Sequence, residues 1–92
     1  MNELMKVFEF ESYPRYFWKE RGDVKNNTIR KIDLYDDRFL NLIAWAETGW
    51  NDGEIQIRIE NTDSYESFVR DIRDITIWDD LIIITWNPHK KL

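Results

Sequence analysis

The stretch GDVKNNTIRKID, Gly22 to Asp33, sets Lys25, Thr28, Arg30 and Lys31 around Ile29 and Ile32 in a chain that is acidic overall. An ammonium, a hydroxyl and a guanidinium this close together have two readings. One is an ordinary solvated strand with its cations in water. The other is a wall that holds a small anion or a nucleoside. The second reading needs the three groups on one face. Side chains alternate along a strand, so Thr28 and Arg30 share a face and Lys25 falls on the opposite parity. Lys25 joins them only if a loop or bulge intervenes near Asn26–Asn27.

Charge is unevenly placed. The 92 residues carry a net −5, yet residues 15–31 hold six Lys or Arg against Glu20 and Asp23, a local +4, which leaves −9 on the remainder. Global acidity argues against tight non-specific binding to duplex nucleic acid, where phosphate neutralisation supplies most of the affinity. A basic strip on an acidic body suits a nucleotide or a short single strand.

Other chemistries fall away. There is no cysteine, hence no disulfide and no thiolate metal site. The single histidine, His89, sits in the polar tail NPHKKL. One imidazole is too few for zinc, and a tail position is unsuited to a Ser-His-Asp arrangement. The carboxylate pairs Asp36–Asp37 and Asp79–Asp80 are expected in turns. Asp71 and Asp74 are expected to neutralise Arg70 and Arg73. No metal and no cofactor are expected. No apolar run approaches the ~20 residues that span a bilayer. The start MNELMKVFEFES lacks the cationic and apolar regions of a signal peptide. A soluble, cytoplasmic protein with no membrane contact is the expectation.

The elements that must position these groups make one domain, residues 1–92. A chain this short buries only roughly 60–65 % of its unfolded surface. Its five Trp, four Tyr and five Phe therefore supply much of the core, with one or two left exposed for a ligand. KVFEFE reads as a strand with Phe8 and Phe10 inward. SYPRYFWKERG reads as a two-turn helix, with Pro14 at its first position and Gly22 at its stop. NNTIRKIDL reads as a strand of mixed apolar parity. Residues 36–46 fit either a helix or a strand, with Asp36–Asp37 able to cap a helical turn. TGWNDG is a turn. EIQIRIE alternates cleanly, Ile55, Ile57 and Ile59 inward, as a half-buried antiparallel strand. Residues 65–75 are again ambiguous: Phe68, Ile72 and Ile75 have helical spacing, but the β-branched content favours a strand. LIIITW reads as a fully buried final strand. The sum is an α+β, mainly β domain of about five or six strands with one or two short helices, built as a small barrel.

A strand, then YPRYFWKERG as a helix, then Lys25, Thr28 and Arg30 following Gly22, resembles the ASCH domains of the PUA-like β-barrel superfamily, which includes short phage-type members. The closing LIIITW is similar to the last barrel strand of that group. The resemblance implies a cleft beside this motif for RNA or a nucleotide, with Lys25 and Arg30 meeting phosphate or carbonyl oxygens. Arginine suits a planar, bidentate partner and lysine acts as a point charge. Asn27 and Thr28 read polar edges. Arg38 joins this ligand-binding set, and Trp18 or Trp50 stacks on a base. The bland alternative pairs Lys25 and Arg30 with acids such as Glu9 or Asp33.

Some small ASCH proteins resemble amidohydrolases that remove an acetyl group from a modified cytidine. That likeness implies Lys25 and Thr28 as catalytic residues with Glu66 as their third member, Glu60 and Glu54 competing for the role. The lysine would activate the threonine hydroxyl. A different class is a phage- or mobile-element-encoded accessory protein whose acidic surface binds and inhibits a host defence protein. The leading expectation is an RNA- or nucleotide-binding domain, with host-protein binding second and the amidohydrolase third.

Overall fold

The computed structural model describes residues 3–89; the end of the polar tail, residues 90–92, lies outside them. Five strands and two helices follow in the order β1 (Val7–Ser12), α1 (Pro14–Arg21), β2 (Asn27–Lys31), α2 (Asp37–Thr48), β3 (Gln56–Asn61), β4 (Ser67–Trp78) and β5 (Leu81–Trp86). The strands form one sheet in the order β1-β3-β4-β5-β2, curled into a half-barrel. This is the expected mainly β, α+β class.

Strand parity builds the core. Phe8 and Phe10 of β1 point inward, as do Ile57 and Ile59 of β3 and Ile82, Ile84 and Trp86 of β5. Ile55, just ahead of β3, joins them. β3 is antiparallel to β4, as its alternation suggested, and parallel to β1 on its other side. β5 is buried on one face only: Leu81, Ile83 and Thr85 are half-covered, which corrects the reading of LIIITW as wholly buried.

Two ambiguous segments resolve for identifiable reasons. Residues 37–48 are helical because Phe39, Leu42 and Trp45 recur at helical spacing and face the core. The Asp36 side chain accepts the Arg38 N–H as an N-cap, and Gly49, at φ +79°, ends the helix where a side chain would be strained. Residues 67–78 are a strand with a register shift between Ile72 and Asp74. That extra residue inverts the parity, so Phe68, Ile72 and Ile75 all reach the core although their spacing is not even throughout.

The helices close the inner face. Phe17 of α1 is fully buried and packs against Phe68, ring centroids 5.4 Å apart. Trp45 of α2 donates from Nε1 to the Met5 carbonyl, and the Asn41 side-chain oxygen accepts the Met5 N–H, tying α2 to the segment ahead of β1.

The sheet has two open edges. The Lys6 and Ser12 carbonyls of the first strand region accept bonds from Gln56 and Thr62, so the Glu9 and Glu11 carbonyls point the other way, off the edge. On β2, Ile32 donates to Asp80 and the Asn26 carbonyl accepts from Trp86. Asn27, Ile29 and Lys31 therefore turn their backbone groups to the other open edge.

The parity assignment is testable. Ile57→Ala should lower the unfolding free energy by about 2–5 kcal/mol, a filled core site made hollow. Ile29→Ala, at a residue 53 % exposed, should change it by less than about 1 kcal/mol. Urea unfolding of both variants checks this; equal losses would show the β2 parity to be wrong.

Candidate functional site

A cavity of about 900 Å³ opens along the seam between the two sheet edges. Four of the cations and polar groups singled out in the sequence line it: Lys25, Thr28, Arg30 and Arg38. Thr28 and Arg30 arrive from β2 on one parity. Lys25 arrives by a loop. Asp23 turns the chain with φ +62°, a left-handed conformation that Asp tolerates better than most residues. The Lys25 N–H then donates to the Lys19 carbonyl, which leaves Lys25 ahead of the strand and free of its alternation.

Arg30 bridges the seam. Its Nε donates to the Thr28 hydroxyl (2.9 Å), and its Nη2 donates to the Glu11 carbonyl (2.9 Å) and the Ser12 hydroxyl (3.2 Å) on β1. Arg38 reaches the same edge from α2. It donates to the Glu9 carbonyl and grips Asp36 through Nε and Nη2, the latter at 2.6 Å. Both guanidiniums lie over the Phe10 ring, at 5.0 Å for Arg30 and 4.4 Å for Arg38, where the ring's negative face attracts them. The Arg38 contact holds the Asp36 carboxyl below its ordinary range.

Sequence reasoning missed Glu20. It lies on α1, 1 % exposed, against the same cavity. Lys25 Nζ stands 4.0 Å from its Oε2, beyond hydrogen-bond reach, and its Oε1 has no hydrogen-bond partner among the described residues. Burial pushes the Glu20 carboxyl up from its ordinary value; the Ser12 hydroxyl, Lys25 and Arg30 pull it down by less. Burial also lowers the affinity of Arg30 for its proton, with Glu20 opposing and Arg38 adding to the effect. Arginine nonetheless stays charged at any working pH. The signal that pointed to Glu20 was available: with Phe17 facing the sheet, position 20 lies three residues on, beside it on the helix.

Other expected residues lie elsewhere. Glu66 is exposed in the β3–β4 connection, its N–H donating to Ser64, and does not line the cavity, so Glu20 is the acid beside Lys25. Glu60 lines the cavity; Glu54 does not, its carboxylate accepting the Asn51 N–H in a turn. Asn27 has the parity opposite to Thr28 and also lies outside the cavity. Trp18 is 48 % exposed but borders a second, smaller cavity. Trp50 is committed to structure: its Nε1 donates to the Ile72 carbonyl and its ring packs on the core. Neither Glu9 nor Asp33 pairs with Lys25 or Arg30; Glu9 pairs with Arg58 at 3.6 Å, and Asp33 accepts the Tyr35 N–H. Arg70 faces Asp23 at 3.7 Å, while Asp71 accepts from Gln56 and Asp74 from Thr76. Among the described residues no three His, Cys, Asp or Glu side chains gather as a metal ion would require, and no helix is long and apolar enough to cross a membrane.

Compared with known protein families the chain matches no family model, and comparison with curated proteins returns no relative.

The cavity lining is thus four cations, Lys25, Arg30, Arg38 and Arg58, and four acids, Glu9, Glu11, Glu20 and Glu60, around the Thr28 hydroxyl, and Glu20 is the carboxyl among them that resists ionisation. The sign of that carboxyl's effect on stability follows from its raised folded value. Below the ordinary carboxylate range both the folded and unfolded chains hold the proton and nothing is lost. As pH rises through the window between the unfolded and folded values, the unfolded chain releases its proton first, and stability falls. Glu20→Gln should remove this component. The stability difference between variant and wild type should therefore shift in favour of the variant as pH rises from 4 to 8, read by urea unfolding at each pH. A pH-independent difference would show that Glu20 titrates as an ordinary carboxylate.

Proposed function

We propose that the chain is a small RNA- or nucleotide-binding domain whose ligand lies in the seam cavity. The observation that carries this reading is the convergence of Lys25, Thr28, Arg30 and Arg38, from a loop, a strand and a helix, on one cavity. Four cations, Lys25, Arg30, Arg38 and Arg58, meet there with four acids, Glu9, Glu11, Glu20 and Glu60, of which burial favours the neutral form of Glu20. The Lys25 ammonium has no partner within hydrogen-bond reach among the acids around it, and it suits a phosphate or carbonyl oxygen. Tyr13 and Tyr16, both exposed at the wall, supply flat apolar surface for a base. The likeness of the Gly22–Arg30 segment to ASCH domains points the same way.

A titration of the protein with nucleoside monophosphates and short RNA, followed by calorimetry, tests the reading. Saturable binding is expected, and Lys25→Ala with Arg30→Ala together should weaken it at least tenfold. Binding that survives the double substitution unchanged would place the ligand elsewhere.

A second reading rests on Glu20. A buried acid whose Oε2 lies 4.0 Å from Lys25 Nζ, with Thr28 on the same wall, supplies the acid, amine and hydroxyl that an amidohydrolase acting on an acylated nucleoside would use. Incubation with an N-acetylated cytidine should then release acetate, and Lys25→Ala and Thr28→Ala should each abolish the release. Equal turnover in wild type and both variants would remove this reading.

A further inference from the structure

The seam cavity is one side of α1, and the other side is also furnished. At about 100° per residue, Tyr13, Tyr16 and Glu20 fall on one flank of this helix, and all three line the seam cavity. Trp18 and Arg21 fall on the opposite flank and line a second cavity of about 420 Å³, with Phe68 and Arg70 behind them. Arg15 and Lys19 crown the ridge between the flanks, directly away from buried Phe17.

Both exposed aromatics within Pro14–Arg21, Tyr16 and Trp18, have a cation over the ring. Arg15 lies 4.7 Å and Lys25 5.4 Å from the Tyr16 centroid, and Arg21 lies 5.6 Å from that of Trp18. Trp18 stands edge-on to Phe17, an interplanar angle of 81° that fixes its ring while half of it stays in solvent. The exposed charges of α1 are all positive, since its one acid, Glu20, is buried. Flat rings interleaved with cations are what single-strand binding needs: bases stack and phosphates are neutralised without reading sequence.

We propose that a short single strand of nucleic acid crosses α1, with one base in the seam cavity, its phosphates on Arg15 and Lys19, and a base beyond the ridge stacked on Trp18. This rests on the nucleotide-binding reading of the seam cavity and extends it: the ligand is an oligomer, and α1 is the saddle it straddles. Charge complementarity and continuity with the cavity favour this occupant over a peptide, which has no use for exposed ring faces flanked only by cations.

The test compares a nucleoside monophosphate with ribo- and deoxyribo-oligonucleotides of roughly six residues, a length within the usual range for small single-strand sites. Trp18→Ala should weaken oligomer binding roughly five- to 150-fold, the range of one lost base stack, and leave the monophosphate unaffected. Arg15→Ala with Lys19→Ala should lower the slope of log affinity against log salt by about 1.4 for the oligomer. All these side chains are exposed, and unchanged monophosphate binding shows that the variants fold. Oligomer affinity equal to wild type in both variants overturns the proposal while leaving the seam site standing. Hexaglutamate bound as tightly as the oligomers, with the same dependence on Trp18, overturns it as well. Loss of the monophosphate as well as the oligomer on Trp18→Ala would do the same. Failure of the wild type to bind any nucleotide or oligomer removes both this proposal and the reading beneath it.

Discussion

The structure depends on a sheet that does not close. Five strands curl around a core of seven aromatic rings and isoleucine, but β1 and β2 end as separate edges. An open edge leaves backbone groups that need partners. Here guanidiniums supply them. Arg30 takes the Glu11 carbonyl and Arg38 takes the Glu9 carbonyl, the two acceptors that strand alternation turns off β1. A planar, multi-donor side chain does what a sixth strand would do, and it leaves a polar cavity where that strand would have left a filled core.

This choice sets the chemistry of the seam. Two guanidiniums near one another repel, and partial burial raises the cost. Phe10 offsets some of this through its ring face, Asp36 balances Arg38, and Glu20 lies within the field of Arg30. Glu20 is incompletely satisfied, with burial outweighing its cationic neighbours. Such half-balanced groups are costly in a structural network and useful in a binding one. The Asp23–Arg70 contact outside the cavity contributes by fixing the turn that delivers Lys25: Asp23 also accepts the His89 N–H, and Arg70 donates to the Arg21 carbonyl.

The sequence was legible where one period dominates. Phe8 and Phe10, the isoleucines of β3, and the helix between Pro14 and Gly22 can all be read from spacing and end signals. It was ambiguous where two periods overlap. The bulge at Ile72–Asp74 gives a strand helical spacing, and α2 carries residues that suit both states until Asp36 is seen to cap it. At the site, the local part was visible: Lys25, Thr28 and Arg30 are close in the chain, and the loop that joins them was the stated condition. Long-range partners were not. Helical spacing sets Glu20 beside Phe17, but its choice over Glu66 as the acid near Lys25 depends on where α1 packs, and Phe17 decides that through contact with β4. Trp50 looked free and is not, since its Nε1 partner, Ile72, lies on a strand whose register only the bulge defines.

A seam closed by guanidiniums concentrates positive charge where the two edges meet. The same Arg30 and Arg38 that satisfy the β1 edge line the cavity, so their mutual repulsion is carried at the edge-to-edge contact itself. Lys25 differs: its loop position keeps the ammonium out of the edge-to-edge contact, with the Glu20 carboxyl at 4.0 Å and the Tyr16 ring centroid at 5.4 Å as its neighbours. The site therefore divides its labour. The arginines hold the fold and set the field, and the lysine adds charge to the cavity without holding an edge.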